Sequence, residues 1–393
     1  MIRRRFVNLV VDNYSTGERS LHRLDAAKHL FYPSTAAAEA AHGATQDNNG
    51  VRTPPEIGNL PRLPPPTMNL GPFSTTVYAC LLDDTFVLLS PRTSDGRILH
   101  TSREKGLTHL YDAGVGSTAA IPTFQRRSGS PILLPIAGAE EEVEERVYAM
   151  KAHCGDPSFE VFNFSQHPHK WEPLPLPPFV KSSNIRCFTA IDDGHTICVS
   201  TEYETTGTYC FDTRSHEWRK AGDWVLPFKG RVDYVPELET WLGFSSPPSC
   251  FNPSRLCASS DLSAMDTQPK PQYIWPELQY VWEDLNPPRE EEILEIGGRF
   301  EGTVLHRSMY WWPYGQHLVN LGGGRFCIAK VFQIQQEIKL HLHFEGNSTS
   351  GEEFVVLVGV EVVRDRDGEG GLRMVKHKSK RYVFTSDRIR CVL

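Results

Sequence analysis

The chain has 393 residues, of which 39% are hydrophobic and 23% charged, with a formal net charge of -7. That composition excludes a disordered polypeptide, and the acidic balance gives no reason to expect binding to nucleic acid or to an anionic membrane. No apolar run approaches the roughly 20 residues of a membrane helix, and 30 Gly with 29 Pro suit a fold with many turns.

The chain opens MIRRRFVNLVVDNYS. Phe6 to Val11 alternates as a strand does, and the apolar stretch is too short for a secretory signal, so neither a signal nor a cleaved presequence is expected. With SLHRLDAAKHLFYPS it makes one strand-turn-strand unit over residues 1–34, Asp25 standing at its outer turn. Residues 35–72 read as an insertion: TAAAEAAHGA predicts a short helix, and the Pro-rich VRTPPEIGNLPRLPPPTMNLGP an extended or disordered run.

Residues 73–267 repeat. LTHLYDAGVGS, EVFNFSQHPHKW, TYCFDTRSHEW and LCASSDLSAMD place Asp112, Asn163, Asp212 and Asp261 at steps of 51, 49 and 49 residues. Each follows a short apolar run: FVLLS, VYAMK, TICVS and TWLGFS. Such runs predict a buried inner strand, and the Asp or Asn a turn in which its side chain binds backbone N–H groups two residues on. Trp171, Trp218, Trp224 and Trp275 supply apolar area between neighbouring sheets. Residues 268–317 read as a second, acidic and aromatic insertion, some of which packs as part of a blade, WPELQYVWEDL being too aromatic to be solvated. Residues 318–393 make a last unit, with GGGRFCIAKVF as its inner strand and Ile389 to Leu393 closing onto the N-terminal unit. Four strands per 45–50 residues is the arithmetic of a propeller, so the expected fold is all-β: a single β-propeller of about six four-stranded, kelch-like blades.

RRRFVNLVVDNYSTG, SLHRLDAAKHLFYPS, GHTICVS with GTYCFDT, HEWRKAGDWVLPFKGRVDYVPELETWLGF and LRMVKHKSKRYVF resemble an uncharacterised domain-of-unknown-function family. That family is expanded in grasses and is similar in pattern to kelch and F-box-associated propellers. The resemblance implies a plant protein and a propeller fold with no established biochemical activity; kelch-type relatives often bind proteins, sometimes as substrate receptors of ubiquitin ligases. It departs from ubiquitin-ligase receptors in that strand-like sequence begins at once, with no helical F-box or BTB segment before Phe6, so a direct adaptor role is not expected.

Catalytic signatures are sparse. No G-x-S-x-G elbow, H-E-x-x-H or zinc-finger spacing occurs, and the Asp turns lack the Gly of sialidase-type propellers. His341 with His343, and His167 with His169, are two-ligand pairs where a metal needs three or four, so neither metal nor cofactor is expected. Leu321 and the three glycines after it precede a strand, whereas phosphate cradles open a helix; a tight turn is the better account. The acidic run Glu140 to Glu145 reads as a solvated loop, and SMYWWPYG as packing more than recognition. The nine cysteines include no C-x-x-C pair, and the N-x-[ST] patterns at Asn13, Asn163 and Asn347 lack a secretory context, so a reducing compartment, cytosol or nucleus, is expected.

The expected function is therefore a non-catalytic protein-interaction module. Strand assignment puts Arg92, Arg97, Arg126, Arg127, Lys151, Lys181, Lys229, Arg231 and Arg255 on one loop face, a basic rim for an acidic partner. One alternative is an enzyme or small-molecule binder using the central channel; it requires inward ionisable residues, and the inner strands FVLL, VYAM, TICV, TWLGF and FCIA offer none. Another is a lineage-specific paralogue competing for a shared partner.

Overall fold

The computed structural model describes residues 4–43, 57–73, 84–89, 96–102, 107–123, 131–136, 145–151, 157–179, 184–202, 206–246, 254–260, 262, 265, 267–275, 289–294, 304–340, 345–365 and 371–393. The described residues form an all-β fold. Among the described residues the strands make six successive four-stranded antiparallel units, called sheets 1 to 6, of which the fourth and fifth are joined by a parallel pair into one eight-stranded sheet. From inner to outer strand, sheet 1 is Asp387–Val392, Phe6–Asn13, Glu18–Asp25 and Pro66–Pro72. Sheet 2 is Thr85–Leu88, Arg97–Ser102, Leu107–Asp112 and Ser117–Ile121. Sheet 3 is Ile132–Ile136, Arg146–Lys151, Ser158–Asn163 and Trp171–Pro173. Sheet 4 is Asn184–Ile191, Thr196–Glu202, Gly207–Asp212 and Glu217–Gly222. Sheet 5 is Phe228–Val235, Thr240–Ser245, Leu256–Ser259 and Tyr273–Trp275. Sheet 6 is Val304–Gly322, Arg325–Leu340, Glu345–Arg364 and Leu372–Val383. Its flanks carry Arg289–Leu294 and, in parallel, Ile57–Asn59.

A strand's side chains alternate between two faces, so a sheet apolar on both must be covered twice. Each face here packs on the next sheet. Val10 and Leu21 of sheet 1 meet Phe86 and Ile98 of sheet 2. Leu99 of sheet 2 meets Leu133 and Val147 of sheet 3. Phe159 of sheet 3 meets Phe211 of sheet 4 with ring centroids 4.8 Å apart and nearly perpendicular. Cys198 and Cys210 of sheet 4 meet Val232 and Trp241 of sheet 5. Leu242 and Phe244 of sheet 5 meet Phe326 and Phe332 of sheet 6. The series closes where Val319, Leu321 and Leu357 of sheet 6 meet Val7, Leu9, Ile389 and Val392 of sheet 1. The last strand of the chain is thus the innermost strand of the first sheet, pairing Leu9 with Val392 and Asn13 with Asp387.

The repeated aspartates sit where strands turn. Asp112 Oδ1 accepts from Gly114 N (2.9 Å), Asn163 Oδ1 from Ser165 N (3.0 Å), and Asp212 Oδ1 from Arg214 N (2.7 Å) and Ser215 N (2.8 Å). Asp25 caps helix Ala26–His29 by accepting from Lys28 N (3.1 Å) and pairs with Arg5 (2.8 Å). Asp261 lies outside the described residues. Trp171 Nε1 donates to Pro122 O (2.8 Å) and Trp218 Nε1 to Pro175 O (2.9 Å), each bridging to the preceding sheet, and Trp224 packs between sheets 4 and 5.

Several sequence expectations are corrected. VYAM, TICV, TWLGF and FCIA are second strands, not innermost ones; of the runs named, only FVLL is innermost. Residues 35–72 contribute strands as well as a helix, and part of residues 268–317 packs into sheets as its aromatic content led one to expect. Pro66–Pro72 is an outer edge strand, a place where prolines cost no ladder bond. Tyr273–Trp275 is the outer strand of sheet 5, and Val304–Gly322 the innermost strand of sheet 6. The glycines after Leu321 turn that strand into the next one, Gly322, Gly323 and Gly324 all having positive φ (80°, 62° and 74°). TAAAEAAHG is a helix, Thr35–Gly43, lying against Leu372–Val383.

That helix is held by a buried polar cluster. Thr35 Oγ1 donates to Glu361 Oε2 (2.7 Å), Arg325 Nε to Glu361 Oε1 (2.8 Å), and Tyr32 N to His377 Nδ1 (3.2 Å), which leaves His377 Nε2 to donate to Glu361 (3.2 Å). Burial alone would raise the Glu361 carboxyl, but the bonds from His377, Thr35 and Arg325 outweigh it and hold it at about 2, below its ordinary 4.5. A carboxyl depressed in the folded state adds stability that is full above its unfolded pKa and is lost as pH falls toward the folded one. Wild-type stability is therefore expected to drop between pH 4.5 and 2, and Glu361→Gln to flatten that part of the profile while lowering stability at pH 7. Urea unfolding across that range checks both.

Candidate functional site

The innermost strands border a cavity, so they can carry polar groups there that the second strands, covered on both faces and both edges, cannot. The innermost strands of all six sheets line one cavity of about 480 Å³, to which Val392, Phe86, Leu133, Phe188, Arg231 and His317 contribute, one from each sheet. We refer to this cavity between the innermost strands as the channel. Sheets 4 and 5 touch beside it, where Phe188 pairs in parallel with Arg231.

Local sequence sets the polar groups there. In FKGRVDYV the ladder with Thr240–Ser245 slips between Lys229 and Asp233, and Gly230 adopts φ 76°. Such a bulge re-aims side chains, and glycine takes the left-handed conformation at no steric cost. Arg231 stands in the bulge and its Nε donates to Asp233 Oδ1 at 2.9 Å. Arg4 enters from the N-terminal end, its N–H bonded to Leu321 O (3.0 Å) and its side chain buried. Burial, with Arg231 close by, pushes the Arg4 guanidinium down to about 10. On sheet 6, Gln316, His317 and Asn320 line the cavity, and burial pushes the His317 imidazole down to about 4, so it is neutral at pH 7.

Where the innermost strands turn into the second ones, the channel opens into a cleft of about 360 Å³. Its walls include the turn Asp192–Gly194, Tyr234 to Glu237, Trp241 and Asn320. Asp192 and Asp193 have φ 51° and 52°, beside Gly194 at 88°. The equivalent turn of sheet 6 uses only glycine, so two carboxylates stand here in a backbone that glycine would adopt more easily. Asp192, Asp193 and Glu237 are exposed, and Tyr234, 41% exposed, lies over Trp241 with ring centroids 4.5 Å apart.

The expected basic rim does not form one face among the described residues. Arg97 begins a second strand, at the cleft end, where it ion-pairs with Glu145 and lies over the Phe164 ring, 5.2 Å from its centroid. Lys151 ends a second strand at the opposite end and is buried; Lys229 and Arg255 lie at that opposite end too. Arg231 is in the channel. Arg92, Arg126, Arg127 and Lys181 lie outside the described residues, as do His341, His343 and Glu140 to Glu144. Among the described residues no group of three His, Cys, Asp or Glu is placed to hold a metal ion, and no helix is long and apolar enough to cross a membrane.

Residues 4–382 match the family described as "Protein of unknown function (DUF1668)". The chain belongs to that family. The resemblance drawn from the sequence is met at this level, an uncharacterised domain family, and likeness to kelch or F-box-associated proteins is not part of the match. No curated protein matches this family member in sequence. Solved structures similar to it include TolB from Acinetobacter baumannii, at TM-score 0.38 and 10% identity over 96% of this chain and 66% of that one. They also include the periplasmic gluconolactonase PpgL of Pseudomonas aeruginosa, at TM-score 0.35 and 8% identity over 97% and 99%. A third is the Cps50 (Swd1) beta-propeller domain of Myceliophteria thermophila, at TM-score 0.25 and 11% identity over 71% and 92%. TM-scores this low support neither a fold nor a function for the family member.

Sequence reading missed Arg4, Asp192, Asp193, Asp233, Glu237, His317 and Asn320. The signal was present in FKGRVDYV, whose charges mark a strand with one solvated edge, but the more apolar strand beside it drew the assignment.

Proposed function

We propose that this chain is a six-bladed β-propeller, each sheet a kelch-like blade, that binds a protein partner without catalysis at the cleft end of its channel. The observation that carries the reading is the cleft itself: exposed Asp192, Asp193 and Glu237 around Tyr234 on Trp241. Carboxylates beside an accessible aromatic face suit a Lys- or Arg-bearing segment, through charge-assisted hydrogen bonds and cation–π contact. The left-handed backbone at Asp192 and Asp193 supports it, since such conformations persist where the side chains have a use. The same carboxylates disfavour nucleic acid and anionic lipid. Buried thiols at Cys187, Cys198, Cys210, Cys257 and Cys327 fit a reducing compartment, the cytosol or nucleus.

Selection from a random peptide library tests this. Wild-type protein is expected to enrich peptides rich in Lys and Arg. The variant Asp192→Asn, Asp193→Asn, Glu237→Gln is expected to lose that enrichment, Asn being tolerant of positive φ so that the turn is kept. Enrichment of acidic peptides, or equal enrichment by both proteins, would show the reading wrong.

A further inference from the structure

Below the cleft the channel changes character. Its described walls carry Lys229 and Arg231 on sheet 5 and Arg4 beside them, while Asp233, a carboxylate on the same wall, is engaged by Arg231 at 2.9 Å. Gln316, His317 and Asn320 add neutral hydrogen-bonding groups. Apart from Thr85, the remaining side chains of the wall are apolar, among them Phe86, Leu133, Phe188, Phe244 and Leu318. Like charges gathered in a space of low polarity repel, and a bound anion relieves that repulsion. The depressed guanidinium of Arg4 is consistent with it. A volume of about 480 Å³ lies within the range of small-molecule pockets.

We propose that the channel binds a small organic anion, a carboxylate or phosphate with an apolar body, its charge at Lys229, Arg231 and Arg4 and its body against Phe86, Phe188 and Leu318. This goes beyond the partner reading and does not depend on it, because the two sites share no basic group except Arg231.

Calorimetric titration of the full chain tests it, with phenylacetate and phenyl phosphate as probes and phenylacetamide as the neutral counterpart at matched ionic strength. At least one anion is expected to bind about tenfold or more tighter than the amide, because a charge-assisted bond is worth that much. Lys229→Gln and Arg231→Gln should each remove most of that preference, and Arg231→Lys should keep it. Lys229 is exposed, so its variant remains informative if Arg231→Gln fails to fold. The proposal is overturned if neither anion binds, if the amide binds as well as the anions, or if both Gln variants bind like wild type. Lys229→Gln leaves the cleft carboxylates intact and should not alter peptide selection, so the two readings fail separately.

Discussion

Ending the chain at Ser386 is expected to abolish cooperative folding. The seven residues removed, Asp387 to Leu393, are the innermost strand of sheet 1, and without them Phe6–Asn13 exposes an unpaired edge to the channel. Ile389 and Val392, both almost fully buried, leave the cluster that seals sheet 6 against sheet 1. Arg388, whose Nε donates to Tyr314 Oη (3.0 Å) and pairs with Glu353 (3.1 Å), goes with them. Burying two large aliphatic side chains contributes about 3–6 kcal/mol, and the ladder and ion pair add to it, so the loss is comparable with the whole stability of a typical domain. Thermal unfolding by calorimetry and size-exclusion chromatography check this. A single sharp transition within a few degrees of the full chain would show that the fold does not depend on this strand.

Arg19→Met is expected to cost about 3–5 kcal/mol, the usual penalty for stranding a buried charge. Arg19 lies between sheets 1 and 2. Its Nε and Nη2 donate to Asp12 (2.5 and 3.1 Å), its Nη1 to Asp84, and its guanidinium lies 5.2 Å from the Phe86 ring centroid. Burial alone would raise the Asp84 carboxyl, but His100 and Arg19 hold it well below the usual carboxylate range. Methionine fills the space and leaves both carboxylates without the fork. Arg19→Lys keeps the charge without the two-pronged geometry and should fall between. Urea unfolding at pH 7 measures both variants; a loss under 1 kcal/mol for Arg19→Met would show that water or neighbouring groups already satisfy Asp12 and Asp84.

Much of the fold was legible because it is local. An Asp or Asn at the end of a strand binds N–H groups two or three residues on, so Asp112, Asn163 and Asp212 reveal their turns without reference to the rest of the chain. The repeat of about fifty residues follows, since four short strands and their turns occupy that length. Pairing of Ile389 to Leu393 with the N-terminal unit was legible too, because an unpaired strand at each end of a repeat has an obvious partner in the other.

The order of strands within each sheet was not legible. Alternation marks a strand as buried on two faces, and TICVS satisfies that better than NIRCFTAI, yet the second is innermost. The difference lies at the strand's edge, which faces the channel and is invisible to a pattern that records faces alone. Pro66–Pro72 reads as a linker because proline interrupts ladders, but it occupies an outer edge where the missing N–H has no partner to lose. The same limit hid the candidate site. Arg4, Arg231 and His317 are separated by 227 and 86 residues in the chain, and what brings them together is the packing of sheets 1, 5 and 6 around one cavity. The sequence by itself determined that this protein is built of repeated four-stranded units with side-chain-capped turns, because hydrogen bonds two residues apart and alternating burial are local properties. Only the tertiary structure decided which strands line the channel and which charges meet there, because that depends on packing between sheets far apart in the chain.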